Sequence, residues 1–265
     1  MSKSFFDNRV MAKLRNHEPV SAAWAQLGSN VSAEILAEAG FDALVIDMEH
    51  APIDLERLVS VIQATKGTEC APFVRAPWND MVWFKRILDA GAYGIHVPYV
   101  STREEAEYAV KSCKYPPLGW RGIAGSQRAV NYSLNKADYY QRANEDVLVI
   151  VAIETPKGVE NIEEIASVEG VDGIFIGPAD LSTCMGYLAN PNVPEVQEAI
   201  TKIEAGAKKY GKFLGTVASN MEAAKELYDR GYSIVYFMSD VTAIASQAVS
   251  QVKQFKEYCS GKNVK

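Results

Sequence analysis

Residues 147–180 read VLVIVAIETPKGVENIEEIASVEGVDGIFIGPAD. The two apolar runs, 147–155 and 172–177, do not alternate polar with apolar residues, as a strand with one wet face would. Continuous apolar runs of this length mark strands buried on both faces. Between them, Pro156 opens a helix-like stretch. The unit is therefore strand, helix, strand, with parallel strands and helices covering them. The first run ends in Glu154, and Asp180 follows the second closely.

Working outward, six further runs have the same character: 21–27, 43–48, 71–76, 93–99, 212–217 and 232–238. Helical stretches separate them at 32–39, 54–66, 102–111, 194–210 and 220–230, and one at 241–258 closes the chain. Thr102-Arg103-Glu104-Glu105 is a capping-box pattern. The 194–210 stretch has Pro at its start and Gly211 just past its end, as helices prefer. Eight strands alternating with helices in 265 residues predict a (β/α)8 TIM barrel, read as one domain over 1–265. An open doubly wound sheet is the alternative, but no G-x-G-x-x-G follows the first strands. The stretch 112–146 lacks a strong strand. Read as a long loop after the fourth strand, it is expected over the C-terminal face, where barrel active sites lie.

Composition narrows the function classes. Lys plus Arg is 27 against 33 Asp plus Glu, a net charge of -6. That balance argues against nucleic acid or an anionic membrane as partner, but leaves room for a small anion held by one arginine. No stretch reaches membrane-span length, and the N-terminus MSKSFFDNRVMAKLRNHEPV has no apolar signal core, so a cytoplasmic location is expected. The four cysteines, Cys70, Cys113, Cys184 and Cys259, are scattered and form no zinc pattern, so reduced structural thiols are expected.

Polar residues at C-terminal strand ends point toward a barrel's site. Glu154 and Asp180 end sequential strands, which places two carboxylates near the axis. Such like charges need compensation, and a divalent cation such as Mg²⁺ or Mn²⁺ supplies it through oxygen ligands. The alternative is that one or both cap helix N-termini. His50, beside Asp47 and Glu49, is a candidate general base oriented by a carboxylate, or a hydrogen-bonded loop histidine. Arg75, after a buried strand, either binds a carboxylate or enolate oxygen or forms a surface salt bridge. The Gly177-Pro178-Ala179-Asp180 turn offers the backbone N–H groups of Ala179 and Asp180 to a small anion. His96, inside an apolar strand, reads as core, and His17 as solvated. Lys157 alone lies near a strand's C-terminal end, and Lys212 opens its strand at the other face, so a Schiff-base mechanism is disfavoured. No serine-hydrolase elbow or Walker A loop is present.

Taken together, FDALVIDMEHAP (41–52), APFVRAP (71–77), LDAGAYGIHVPYV (88–100), YPPLGWRGI (115–123), IET (153–155) and VEGVDGIFIGPADLSTCMGY (168–187) resemble the HpcH/HpaI family of class II pyruvate aldolases. The resemblance implies a barrel that cleaves 4-hydroxy-2-oxo acids reversibly to pyruvate and an aldehyde, with a divalent metal ion (Mg²⁺, Mn²⁺ or Co²⁺). It implies Glu154 and Asp180 as metal ligands and His50 as base. Arg75 is implied at the pyruvyl oxygens, and the backbone of Ala179 and Asp180 at the carboxylate. Asp89 is implied to orient the histidine of a neighbouring subunit. Hexamers built from dimers that exchange the last helix are implied too, so 241–258 is expected to pack on a partner. Two positions depart from the family pattern: Ala152 replaces a common Gln, and GIAGSQRAV (122–130) places Ala129 where an Arg falls, with Arg128 one place earlier. Both are expected near the substrate. Pro98, Tyr99 and the 112–146 segment are expected to shape the aldehyde pocket. The rival enzyme readings are a citramalyl-CoA type lyase and an oxaloacetate decarboxylase. A metabolite-binding barrel is the non-enzyme rival.

Overall fold

The computed structural model describes residues 7–260. Eight parallel strands close into a barrel in sequence order. They are β1 (Val20–Ala25), β2 (Ala43–Asp47), β3 (Ala71–Arg75), β4 (Gly94–Val97), β5 (Leu148–Ile153), β6 (Gly173–Ile176), β7 (Phe213–Val217) and β8 (Ile234–Ser239). Helices alternate with them, so the fold is the (β/α)8 barrel expected from the apolar runs.

The strands are mostly shorter than the apolar runs, for physical reasons. β4 stops at Val97 because Pro98 has no N–H to give the ladder. β5 stops at Ile153, and Thr155 becomes the N-cap of the helix Pro156–Glu160, its hydroxyl accepting from the Gly158 N–H at 3.0 Å. The residues lost from the strand ends are those that turn into the C-terminal mouth.

Burial follows the double-sided pattern. Ala22, Trp24, Val45, Phe73, Ile150, Phe175, Ile234 and Tyr236 pack inside the barrel, while Leu44, Ile46, Val74, Ile95, Val149 and Ile174 pack under the helices. His96 lies within the first set. Its Nε2 is 2.8 Å from the Tyr236 hydroxyl, and the rings of Phe175 and Tyr236 stand 5.5 and 5.4 Å away. Burial pushes its pKa down to about 3, so it is a neutral core group, as its apolar strand predicts. His17 is exposed.

One expectation fails. The helix Arg103–Cys113 carries the chain back to the N-terminal end before residues 114–135 begin. That segment packs there: Arg121 Nη2 donates to Asp89 at 3.0 Å, Arg128 Nη1 to the Ala90 carbonyl at 3.2 Å, and Lys114 Nζ to the Val147 carbonyl at 2.7 Å. It therefore neither covers the C-terminal face nor shapes the pocket of its own barrel. A helix intervenes between β4 and the segment, and the direction of the chain is reversed. Part of the stretch is itself helical, Lys136–Asp146, a polar sequence whose periodicity is weak.

The last helix, Asp240–Ser260, leans little on the barrel. Asp240 is its one buried residue, and Ile244, Val249, Val252, Phe255 and Tyr258 are exposed. Among the described residues no helix is long and apolar enough to cross a membrane. The four cysteines are free, with Cys70 and Cys113 buried.

Candidate active site

Strand register assembles the site. Asp47 pairs with Arg75 across β2 and β3, at the C-terminal end of both. Arg75 Nε and Nη2 donate to Asp47 Oδ1 and Oδ2 at 3.0 and 2.7 Å, a bidentate pair with a fully buried carboxylate. The guanidinium also lies 3.1 Å from Glu49 Oε2 and 4.6 Å from the Trp24 ring centroid. Burial alone would raise the Asp47 pKa, but hydrogen bonds and charge from Arg75, with Gln26, hold it below the ordinary value. Burial likewise disfavours charge on Arg75, and Asp47 and Glu49 outweigh it. Asp47 thus fixes Arg75.

His50 stands in the loop after β2 and is exposed. The carboxylate of Asp47 accepts from its backbone N–H at 3.2 Å, and does not hold its ring. The ring Nε2 lies 3.7 Å from Glu49 Oε2. Glu49 is therefore the carboxylate that connects His50 with Arg75. The sequence offers Asp47 and Glu49 alike as the carboxylate that orients the histidine and does not single out Glu49. Its position two residues past the strand-end Asp47 is the signal that could have singled it out.

Glu154 follows β5 directly and is 2% exposed. Its Oε2 accepts from the Tyr99 N–H at 3.1 Å. Burial drives its pKa up to about 7, and the negative charges of Glu49 and Asp180 add to that. Gly177 is required opposite it, because a Cβ there would collide with the Glu154 carboxylate. Asp180 is the third residue of the helix Pro178–Cys184, whose cap position is Gly177. Neither Glu154 nor Asp180 is a helix cap, so the capping alternative falls away. No side chain caps the Pro178–Cys184 helix, whose first-turn N–H groups come from Ala179 and Asp180.

Tyr99 joins the two acids. Its hydroxyl lies 3.4 Å from Asp180 Oδ1, and its ring stacks on Trp78 at 6.1 Å. Sequence reasoning gave it only a place in the pocket wall. A non-glycine residue following a strand-end proline carried no further signal.

Asp89 is not brought to His50 within the chain. It ends the helix Met81–Asp89 at the opposite end of the barrel and accepts from the buried Arg121. Ala152 is buried inside the barrel on β5. Ala129 is buried at the N-terminal end, and Arg128 packs over Gly91. The GIAGSQRAV segment is thus far from the mouth of its own barrel. Lys157 is exposed on the Pro156–Glu160 helix, and Lys212 donates to the Val168 and Val171 carbonyls at the N-terminal end. Neither offers a desolvated amine to this site.

Comparison with known proteins identifies the family. Residues 21–246 match the family described as HpcH/HpaI aldolase/citrate lyase. The chain is 40% identical over 257 residues to a 5-keto-4-deoxy-D-glucarate aldolase of Klebsiella pneumoniae, covering 97% of this chain and all of that one. Among solved structures, an HpcH/HpaI aldolase/citrate lyase family protein from Burkholderia cenocepacia superposes with TM-score 0.90 at 36% identity, covering 94% of this chain and all of that one. An HpcH/HpaI aldolase from Desulfitobacterium hafniense gives TM-score 0.86 at 32% identity, covering 93% and 96%. The chain belongs to the HpcH/HpaI aldolase family and is a carbon–carbon lyase of the class II aldolase type.

Proposed function

We propose that this aldolase cleaves a 4-hydroxy-2-oxo diacid, 5-keto-4-deoxy-D-glucarate being the first candidate, to pyruvate and a carboxylated aldehyde. The observation that carries the reading is the pair of acids at the mouth, Glu154 directly after β5 and Asp180 in the first turn of the helix after β6, with Asp180 adding to the raised Glu154 pKa. The 40% identity over 257 residues supplies the substrate class.

The donor set suits a divalent cation. Among the described residues the hydrogen bonds to these acids engage Glu154 Oε2 and Asp180 Oδ1, which leaves Glu154 Oε1 and Asp180 Oδ2, and carboxylate oxygens fit Mg²⁺, Mn²⁺ or Co²⁺. Among the described residues no three His, Cys, Asp or Glu side chains are grouped to hold a metal ion. Glu154 and Asp180 would be the residues that hold it. A cation held there supplies Lewis-acid stabilisation of the developing enolate oxygen.

The chain's own residues do the rest. Arg75, locked by Asp47 and Glu49, presents its remaining donor surface to the ketone oxygen of the substrate and stabilises the enolate. The first-turn amides of Ala179 and Asp180 hold the 2-oxo acid's carboxylate. His50 takes the proton of the 4-hydroxyl, and Glu49 at 3.7 Å steadies the resulting imidazolium. As the hydroxyl becomes a carbonyl, the C3–C4 bond breaks and its electron pair enters the enolate. Protonation at C3 then yields pyruvate.

Asp89 serves the histidine of a neighbouring subunit in this reading, because its own chain keeps it at the far end of the barrel. The apolar row Ile244, Val249, Val252 and Phe255 supports a homo-oligomer, hexamers built from dimers, with the last helix on a partner. A cytoplasmic location fits the acidic chain and its free thiols. Measuring pyruvate release from a panel of 4-hydroxy-2-oxo acids of varied length and terminal charge tests the substrate. The diacid is expected to give the highest kcat/KM, and a preference for uncharged tails contradicts the reading.

A further inference from the structure

Among the described residues Tyr99 hydrogen-bonds to both acids of the site. Its backbone N–H donates to Glu154 Oε2 at 3.1 Å, and its hydroxyl reaches Asp180 Oδ1 at 3.4 Å. Three features hold it in that posture. Its φ is +54°, in the left-handed region that side chains other than glycine enter at a cost. Pro98 before it ends the β4 ladder, and the next N–H, of Val100, donates to the Ala152 carbonyl at 3.1 Å. Its ring is stacked at 30° on Trp78. The turn is therefore pinned on both sides, and the strained residue in its middle aims one donor at each carboxylate.

We propose that Tyr99 is a positioning residue that presents Glu154 and Asp180 to the cation, by occupying one oxygen of each carboxylate and leaving the other oxygen of each free to ligate. This rests on the assignment of those two acids as cation ligands. A carboxylate that can rotate offers either oxygen, and two such groups repel each other when no cation lies between them. A donor fixed on one oxygen removes the rotation. The backbone donor does this for Glu154 regardless of the side chain, so the hydroxyl's own contribution falls on Asp180. Partners of this kind behind a metal ligand change metal affinity by ~10–100-fold when removed.

Tyr99→Phe removes the hydroxyl while keeping the turn, the Glu154 hydrogen bond and the ring on Trp78. Metal-free wild-type, Tyr99→Phe and Glu154→Gln proteins are titrated with Mn²⁺, and free Mn²⁺ is read from its EPR signal. Tyr99→Phe is expected to bind roughly 10-fold more weakly, and Glu154→Gln to lose measurable binding. Half-maximal activity of Tyr99→Phe is expected to need a correspondingly higher Mn²⁺ concentration than wild type, because presentation of the ligands has suffered. Equal Mn²⁺ affinity in Tyr99→Phe and wild type overturns the proposal. Wild-type protein that binds no Mn²⁺ overturns the assignment of Glu154 and Asp180 instead.

Discussion

The two ends of the barrel treat their acids differently. At the N-terminal end carboxylates meet cations of the same chain. Asp89 pairs with Arg121 at 3.0 Å, Asp42 with Lys13, and half-buried Asp172 lies in the field of Lys114 and Lys212. At the C-terminal end Asp47, Glu49 and Glu154 share the field of Arg75, and Asp180 adds a further negative charge close by. Matched charges at one end hold loops and helices in place. At the other, burial pushes the Glu154 pKa up to about 7 and the neighbouring acids add to it, which in the proposed reading leaves a place for a cation from outside the chain. In the proposed reading stability is built at one end and chemistry at the other, which is how barrels of this type divide their faces.

The strongest challenge to this contrast is to remove functional groups from the acidic end. His50→Ala is expected to lower aldol cleavage by ~10²–10⁴-fold, the usual cost of a lost general base. The same variant should keep most oxaloacetate decarboxylation, which forms a pyruvate enolate without a hydroxyl proton to remove. Glu154→Gln should lose both activities. Both rates are measured at saturating metal and corrected for decarboxylation by free metal. Equal losses of the two activities in His50→Ala would contradict the role given to His50.

A change at the opposite end should act mainly on stability. Asp89→Asn leaves the buried Arg121 guanidinium without its counter-charge. Breaking such a pair costs ~3–5 kcal/mol when both partners are buried. Asp89 is partly exposed, so about 1–3 kcal/mol is expected in denaturant unfolding. The shared-site reading adds a second effect. Asp89→Asn should also cleave poorly, and mixing it with inactive His50→Ala after dissociation and reassembly should regain part of the activity. Mixtures that stay inactive despite proven subunit exchange reduce Asp89 to its structural pair with Arg121.

The smallest expected effect is a pH trend. Glu154 has a folded pKa raised from 4.5 to about 7, so its contribution to stability is fully present below 4.5 and lost as pH rises through about 7. Metal-free protein should therefore lose part of its thermal stability across that window, and Glu154→Gln should flatten the trend. Added Mg²⁺ should restore stability at pH 7. A metal-free wild type with the same pH slope as Glu154→Gln would show that the acid is not strained.

Much of this was legible in the chain. The eight apolar runs became eight strands because doubly buried strands need no alternation, and their last polar residues, Asp47, Arg75 and Glu154, lie at the mouth. The reading of 112–146 failed because sequence order does not say at which end of a barrel a connection lies. The helix Arg103–Cys113 had to be recognised as completing the return before the loop began. The partners inside the site were also out of reach. That Asp47 grips Arg75 rather than the His50 ring, and that Glu49 links the two, depends on register and rotamer. Tyr99 depends on a backbone conformation that its residue type does not announce.

The central claim is that the acidic end of the barrel works on the pyruvate unit through a divalent cation. The methyl protons of pyruvate report on it directly, since forming and quenching the enolate in D₂O replaces them with deuterium. Followed by ¹H NMR, the methyl signal should fade with enzyme and Mg²⁺ or Mn²⁺, persist after EDTA, and fade again when metal is returned. Exchange that continues after EDTA, or inactivation by borohydride in the presence of pyruvate, would contradict the account.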